Sequence, residues 1–342
     1  MSQTKFDIAV VIGRFQVPHL GHHKLIQEAA RIADKVVIII GSVGQPRTPK
    51  NPFTFKERKD MLEKTISNYI NYEILSVRDQ RYNLQHWLVD VAYKVNSTTK
   101  SWTDYPPSVA IVGHIKDDSS FYLKMFPQWT FHEIENHKEV NSTDIRDQLF
   151  EGSSPYDIDH IDSKVCNYLA GWQMTDTYHN LKEEYEFIKK YKSAYKDLPY
   201  PPIFSTVDAV VTQSGHILLV KRKAAPGKGL WALPGGFIGQ SETIEDAMLR
   251  ELVEETKIKL QKIILQRSIT KQKVYDDPDR SLRGRTITHA FAIELSGDTL
   301  PRVKGSDDAE KAKWFPLNEV FSMGENIYED HLSIILNITG DL

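Results

Sequence analysis

The chain has 342 residues, 40% of them hydrophobic and 26% charged, enough for two globular domains that each bury a core. Its net charge of -3 gives no bulk attraction to nucleic acid or to an anionic membrane, so neither is expected as a partner. A single cysteine, Cys166, excludes an intrachain disulfide, and no apolar run approaches a membrane span; with no secretory signal visible, a cytoplasmic protein is expected.

In chain order, apolar strands are expected at 6–12, 36–41, 72–77 and 109–113, with helices near 21–33, 55–69, 83–95, 119–125 and 142–150. That alternation predicts an α/β domain, a parallel sheet covered by helices, to which 155–174 adds a helical cap. The first domain is assigned to 1–178, and 179–203 reads as a linker, helical at first and then broken by the prolines of "PYPPIF". Beyond it the texture changes to α+β over 204–342. "FSTVDAVVTQSGHILLVKR" gives two strands around a Ser-Gly turn and "LWALPGGF" a short strand; 242–256 is a helix, and 260–270 and 286–295 are strands.

The stretch "GRFQVPHLGHHKLI" (13–26) joins the first strand to the first helix. A helix N-terminus presents free backbone N–H groups and suits phosphate, and His19 and His22, three apart, can converge on one ligand there. Arg14 adds a permanent positive fork. The G-x-G-x-x-G fingerprint of dinucleotide-binding dehydrogenases is absent, and no further Cys or His follows at zinc-ligand spacing. At the far end of the same domain, "NSTDIR" (141–146) offers Ser142 or Thr143 as a helix cap, with Arg146 one turn on.

Together, G-R-F-Q-x-x-H-x-G-H and S-T-x-x-R resemble the nucleotidylyltransferase superfamily, a Rossmann-like fold in which both motifs attend the triphosphate of ATP. "GSVGQPRTPKNPFTFKER", "RDQRYNLQHW" and "GHIKDDSSFYLKMFPQW" are similar to nicotinamide mononucleotide (NMN) adenylyltransferases of the archaeal type. The order Val17-Pro18 departs from relatives that carry proline one position earlier; it bears on the turn and leaves the histidines in place. The resemblance implies attack of the 5′-phosphate of NMN on the α-phosphorus of ATP, with pyrophosphate leaving and Mg²⁺ screening the phosphates. It makes His19, His22 and Arg146 catalytic, and puts Gly13, Arg14, Phe15, Gly21, Ser142 and Thr143 at the nucleotides. Arg58 is either a contact for the mononucleotide phosphate or a solvated helix arginine; Trp87, with Asn83 beside it, either stacks on the nicotinamide or belongs to the core. Nicotinate mononucleotide is the rival substrate.

In the second half, "GFIGQSETIEDAMLRELVEETKI" (236–258) puts Glu251, Glu254 and Glu255 on one helix face by i, i+3 and i+4 spacing. The opposite face, Ile244, Met248 and Leu252, is apolar, so the acids face a fixed cleft, where oxygen ligands suit Mg²⁺ or Mn²⁺. The spacing Gly236-x5-Glu242-x7-Arg250-Glu251-Leu252-x-Glu254-Glu255 resembles the Nudix box, with Lys257 where that box has its last glycine. The resemblance implies a metal on Glu251, Glu254 and Glu255, which are thereby also catalytic, and Arg250 orienting Glu251. Gly235, Gly236, Arg250 and Arg285 are placed at substrate, and "YDDPDRSLRGRTITHAF" is similar to members that hydrolyse ADP-ribose. Arg280, Arg283 and Arg285 either contact phosphates or face water; Asp307, Asp308 and Glu310 are either a general base or a solvated loop. The whole chain thus resembles bifunctional proteins that join an NMN adenylyltransferase to an ADP-ribose pyrophosphatase. The rivals are a non-hydrolysing ADP-ribose sensor and a hydrolase of another nucleoside diphosphate. The residues after Phe315 are too few for the winged helix that Nudix-like regulators add.

Overall fold

A computed structural model describes residues 5–98, 106–115, 118–134, 140–305 and 309–340, and the chain divides into two units, Met1–Lys182 and Glu183–Leu342. In the first, β1 (Phe6–Gly13), β2 (Ala33–Ile40), β3 (Tyr72–Ser76), β4 (Val109–Gly113) and β5 (Thr130–Glu133) form a parallel sheet in the order β3-β2-β1-β4-β5. Helices α1 (Leu20–Ile32), α2 (Phe55–Thr65), α3 (Leu84–Ser97), α4 (Ser142–Glu151) and α5 (Ser163–Trp172) accompany it. The period of two along β1 explains the layers. Ala9 and Val11 pack with Ile26 of α1 and Leu62 of α2, while Ile8 and Val10 pack with Val91 and Val95 of α3. Because strand order reverses between β1 and β4, their C-terminal ends open a crevice at the switch point.

Helix α6 (Asp176–Ser193) contains the division between the units, inside the 179–203 segment and ahead of its prolines. The second unit has β6 (Phe204–Gln213), β7 (His216–Arg222), β8 (Trp231–Ala232), β9 (Gly235–Phe237), α7 (Ile244–Thr256), α8 (Lys262–Arg267), β10 (Ile269–Tyr275), β11 (Thr286–Glu294), β12 (Ala309–Pro316), α9 (Leu317–Val320) and α10 (His331–Thr339). Its mixed sheet runs β10-β11-β6-β7-β12. The β6–β7 hairpin pairs only beside its turn, Thr212 with Ile217 and Gln213 with His216. The strands then part: β9 lies on β6 at Thr206–Asp208, and β8 lies on β7 at Val220 and Lys221. The parting opens a cleft, and α7 packs Ala247, Met248, Leu249 and Leu252 against Val207, Ala209 and Leu218.

Two expected elements differ. The segment 119–125 is a 3-10 helix, Asp118–Lys124. The strand expected at 260–270 is α8 followed by β10: in "KIILQR" only Leu265 is buried, while Ile263 and Ile264 are 48% and 44% exposed. A short β-branched run has no periodicity long enough to separate a helical turn from a strand.

Candidate active sites

At the switch point a cavity of about 680 Å³ is lined from β1 and its turn, from α1, from β4 and from the start of α4. His19 is the N-cap of α1 in extended conformation, and its backbone N–H donates to Nδ1 of His22 at 3.2 Å. A backbone N–H can only donate, so His22 Nδ1 is the lone-pair nitrogen and Nε2 carries the proton of the neutral ring. Burial, with His19 adjoining, holds the His22 imidazole well below its ordinary value and keeps it neutral. The two imidazoles stack with centroids 3.7 Å apart, and the Phe15 ring lies 4.7 Å from His22. Gly21 gives this stack its room, since a Cβ there would stand 3.0 Å from the His19 ring and press on it.

The second motif reaches the same cavity. Arg146, buried on α4, donates Nη1 to the Gln16 carbonyl and Nη2 to Thr143 Oγ1 at 3.0 Å; burial, then Arg14, lowers it to about 10. Ser142 Oγ donates to the Val17 carbonyl at 3.3 Å. The cap of α4 is Asn141, whose Oδ1 accepts from the Thr143 N–H at 2.9 Å, and not Ser142 or Thr143. Asparagine caps as well as serine does, so the residue ahead of the motif was the available signal.

Gly13, Arg14, Phe15, His19, Gly21 and His22 line this cavity, as do Ser142, Thr143 and Arg146. Arg58 does not, and it is not a solvated arginine either. It is 1% exposed, and it donates to the carbonyls of Arg14 (2.8 Å), Gly41 (2.7 Å), Ser42 (3.2 Å) and Thr54 (3.2 Å). Its donors are spent on tying the β1 and β2 ends to α2, and burial lowers it to about 10. Trp87 packs against Tyr122 and Phe126 at 5.7 and 6.2 Å, and Asn83 caps α3 through His86 N–H at 3.1 Å; neither lines the cavity. His114, Lys24 and Tyr122, which lie inside the motif-bearing stretches but had no role assigned from sequence, do line it, and burial pushes the Tyr122 phenol up to about 12.

The cleft between β6 and β7 holds a second cavity, of about 320 Å³. Glu251 and Glu255 line it, with Gly235 and Gly236 from β9. Gly236 leaves room for the Glu251 carboxylate, since a Cβ there would sit 2.4 Å from Oε1 and push it aside. The Gly235 N–H donates to Glu255 Oε2 at 3.0 Å, yet burial still pushes this carboxyl up to about 8, and burial raises Glu251 too. Arg250 gathers the other acids. Its Nε and Nη2 donate to Glu242 at 2.9 and 2.7 Å, and Nη1 to Glu251 at 2.8 Å and Glu254 at 3.0 Å. Glu254 is therefore turned onto Arg250 and 46% exposed, outside the cavity lining. Among the described residues no three acidic or imidazole side chains stand together as a cation cage. The donor chemistry still fits a hard divalent ion: Glu255 is a buried and Glu251 a half-buried carboxylate whose ionisation a cation would favour, and Glu254 lies on the same helix face by its spacing.

Arg285 does not line the cavity; its guanidinium holds the Asp276 carbonyl, with the Asp276 carboxylate at 3.8 Å. Asp307 and Asp308 lie outside the described residues, and Glu310 pairs with Lys221 at 3.5 Å, away from the lining. Lys257 adopts the left-handed conformation that glycine takes in the box (φ 49°), so the turn is kept. Sequence reasoning named Arg280 only as a phosphate contact or a solvated arginine, whereas it is buried and paired, and it missed the rest of the cavity's polar floor. Asp208 accepts from Thr288 Oγ1 at 2.6 Å, Arg280 donates twice to Asp330 at 3.0 and 2.9 Å, and His331 Nδ1 accepts from the Leu233 N–H at 2.9 Å. The visible signal was an aspartate inside the apolar strand "STVDAVV".

Two family models match the chain, one described as Cytidylyltransferase-like over residues 10–148 and one as NUDIX domain over residues 202–336. A nicotinamide/nicotinic acid mononucleotide adenylyltransferase of Acinetobacter baylyi is 35% identical over 188 residues, 53% of this chain and 94% of that protein. An ADP-ribose pyrophosphatase of Methanocaldococcus jannaschii is 38% identical over 133 residues, 37% of this chain and 71% of that protein. A crystal structure of a bifunctional NMN adenylyltransferase/ADP ribose pyrophosphatase from Francisella tularensis, complexed with AMP and a Mn ion, is similar with TM-score 0.91 and 37% identity. That match covers 98% of this chain and 99% of the other.

Proposed function

The chain belongs to the family of bifunctional NMN adenylyltransferase/ADP-ribose pyrophosphatases, and on that premise we propose that it runs two reactions at the two cavities. The observation that carries this reading is the full-length similarity, with both motif sets arriving at cavities of nucleotide scale.

At the first cavity the 5′-phosphate of NMN attacks the α-phosphorus of ATP; the bond to the β-phosphate oxygen breaks, giving NAD and pyrophosphate. Such a transfer needs positioning and charge stabilisation and no protein nucleophile. His22, neutral with its proton on Nε2, donates to a phosphate oxygen where charge grows on the leaving group, and His19 supports it by stacking. Arg14 and Arg146 brace the phosphates, joined by the positive dipole ends of α1 and α4, whose first residues line the cavity.

At the second cavity water attacks the diphosphate of ADP-ribose, giving AMP and ribose 5-phosphate. Glu251, Glu254 and Glu255 hold Mg²⁺, or Mn²⁺ in its place; when bound, the ion neutralises the diphosphate and makes water a better nucleophile. Arg250 orients Glu251 and keeps Glu254 within reach of it, anchored in turn by Glu242, whose carboxyl it holds down to about 2. No helix is long and apolar enough to cross a membrane among the described residues, and a cytoplasmic setting belongs to the same reading, in keeping with the one buried thiol, Cys166.

The test is to follow NAD formation from NMN and ATP, and AMP release from ADP-ribose with Mg²⁺, in wild type and Glu254→Gln. The reading expects both products from the wild type and only NAD from the variant. AMP release that survives in the variant, or a wild type that yields neither product, overturns it.

A further inference from the structure

The segment 276–285 carries three arginines, and each keeps different company. Arg285 is occupied by Asp276. Arg280 is buried in a two-bond pair with Asp330 at 3.0 and 2.9 Å, with Asp208 a further 4.0 Å away, so its charge is already balanced. Arg283 lines the same cavity as Glu251 and Glu255 and makes no ion pair among the described residues. Its guanidinium carbon lies 5.1 Å from the centroid of the Phe237 ring, and its Nε is buried without a hydrogen-bond partner.

A guanidinium fixed against an aromatic face, with a donor left unmet, is poised for an anion of matching fork geometry. A buried donor left unmet carries its desolvation cost, which a bound acceptor recovers. The neighbours fix where it points. Arg280 ties the segment to Asp330 at the start of α10, and Ser281 Oγ donates to Glu329 at 2.8 Å beside it. The Arg283 N–H reaches Ser281 Oγ at 3.4 Å. Two consecutive anchors thus stand just ahead of the arginine that, of the three in this segment, has no ion pair among the described residues.

We propose that Arg283 binds the diphosphate of the substrate, and that the Arg280–Asp330 pair is the positioning device that presents it. This rests on the reading of the second cavity as a nucleoside-diphosphate hydrolase. Arg283 takes up oxygens of the diphosphate that do not change charge in the reaction, so its contribution is to binding in ground and transition state alike.

The experiment is steady-state hydrolysis of ADP-ribose by the full chain, as KM and kcat separately. Arg283→Ala is expected to raise KM about tenfold or more with kcat little changed, Arg283→Lys to recover part of it, and Arg285→Ala to stay within about twofold of wild type. For the positioning pair, Arg280→Met with Asp330→Leu removes the two paired charges together, and Asp208 keeps its bond from Thr288 and its neighbour His331. It is expected to raise KM in the same sense while leaving NAD formation unchanged. A KM in Arg283→Ala within about twofold of wild type overturns the anion contact; an unchanged KM in the double variant overturns the positioning role. If the wild type releases no AMP, the activity reading fails on its own, and equilibrium dialysis of labelled ADP-ribose decides the inference. About tenfold weaker retention by Arg283→Ala supports it, equal retention overturns it, and no retention by either protein overturns both.

Discussion

At the switch-point cavity burial strips a proton from an imidazole, whereas in the cleft between β6 and β7 burial presses one onto a carboxyl. The first cavity has its donors in place: His22 Nε2–H, Arg146 and two helix N-termini face a space of about 680 Å³, and an incoming polyphosphate brings the negative charge. The second presents carboxylates to a substrate that is itself anionic, and so depends on a cation between them. One phosphate chemistry is thus approached from opposite electrostatic starting points, and variants should separate the two.

The largest effect is expected on the acidic helix. Glu251→Gln removes a cavity carboxylate and one of the three acids held by Arg250, and AMP release should fall by at least about a hundredfold. NAD formation in the same preparation should be unchanged. Parallel product assays check this, and a loss of both would mean that the substitution has damaged more than its own cavity. The mirror experiment is His22→Ala, which deletes the Nε2 donor and the stack on His19. NAD formation should fall about 10²–10³-fold, the usual cost of one preorganised donor, with AMP release intact.

A smaller but more diagnostic effect is the response to pH. The folded chain holds His22 below 6.5, so the stability tied to its neutral form is fully present above pH 6.5 and is lost as pH falls toward the folded value. Glu255 has the opposite sign. Its carboxyl is raised from 4.5 to about 8, so in metal-free protein the unfolded chain sheds its proton first, and stability is lost as pH rises between those values. Amide hydrogen exchange measured across pH should show α1 loosening toward acid and α7 loosening toward neutrality. His22→Asn and Glu255→Gln should each flatten only their own limb, and Mg²⁺ or Mn²⁺ should protect α7 alone.

How far the sequence discloses such a molecule depends on how local each device is. The His19–His22 pair and the Glu251–Glu255 face come from single helical turns, so their spacing carries their geometry. The α4 cap was misplaced by one or two residues because Asn141, Ser142 and Thr143 are all competent caps and only packing selects among them. The cleft floor was not legible: Asp208, Arg280, Asp330 and His331 come from β6, the loop after β10 and the start of α10, and no local pattern pairs an arginine with an aspartate fifty positions on. Arg58 defeated both readings for the same reason, since its partners are backbone carbonyls, which a sequence does not display. Removing it therefore tests structure before binding. Arg58→Ala takes its donor from the Arg14, Gly41 and Ser42 carbonyls, while Thr54 keeps the backbone N–H of residue 58, and denaturant unfolding should report a loss of about 2–4 kcal/mol.

The smallest expected effect concerns Lys257, and its sign decides whether the departure from the box costs anything. At φ 49° and ψ 32° this residue closes α7 with its N–H on the Val253 carbonyl, so the cap is formed despite a Cβ. A non-glycine residue in that region costs roughly 1–2 kcal/mol, which glycine avoids. Glycine also frees the unfolded chain, giving back roughly 0.5–1 kcal/mol of that gain. The balance favours Lys257→Gly by a few tenths to about 1 kcal/mol, read as a slightly higher denaturation midpoint. AMP release should not move, because the residue is exposed and lies beyond the last carboxylate. A fall in AMP release would mean that Lys257 serves the cavity after all, and that the lysine is kept for the reaction at the expense of the turn.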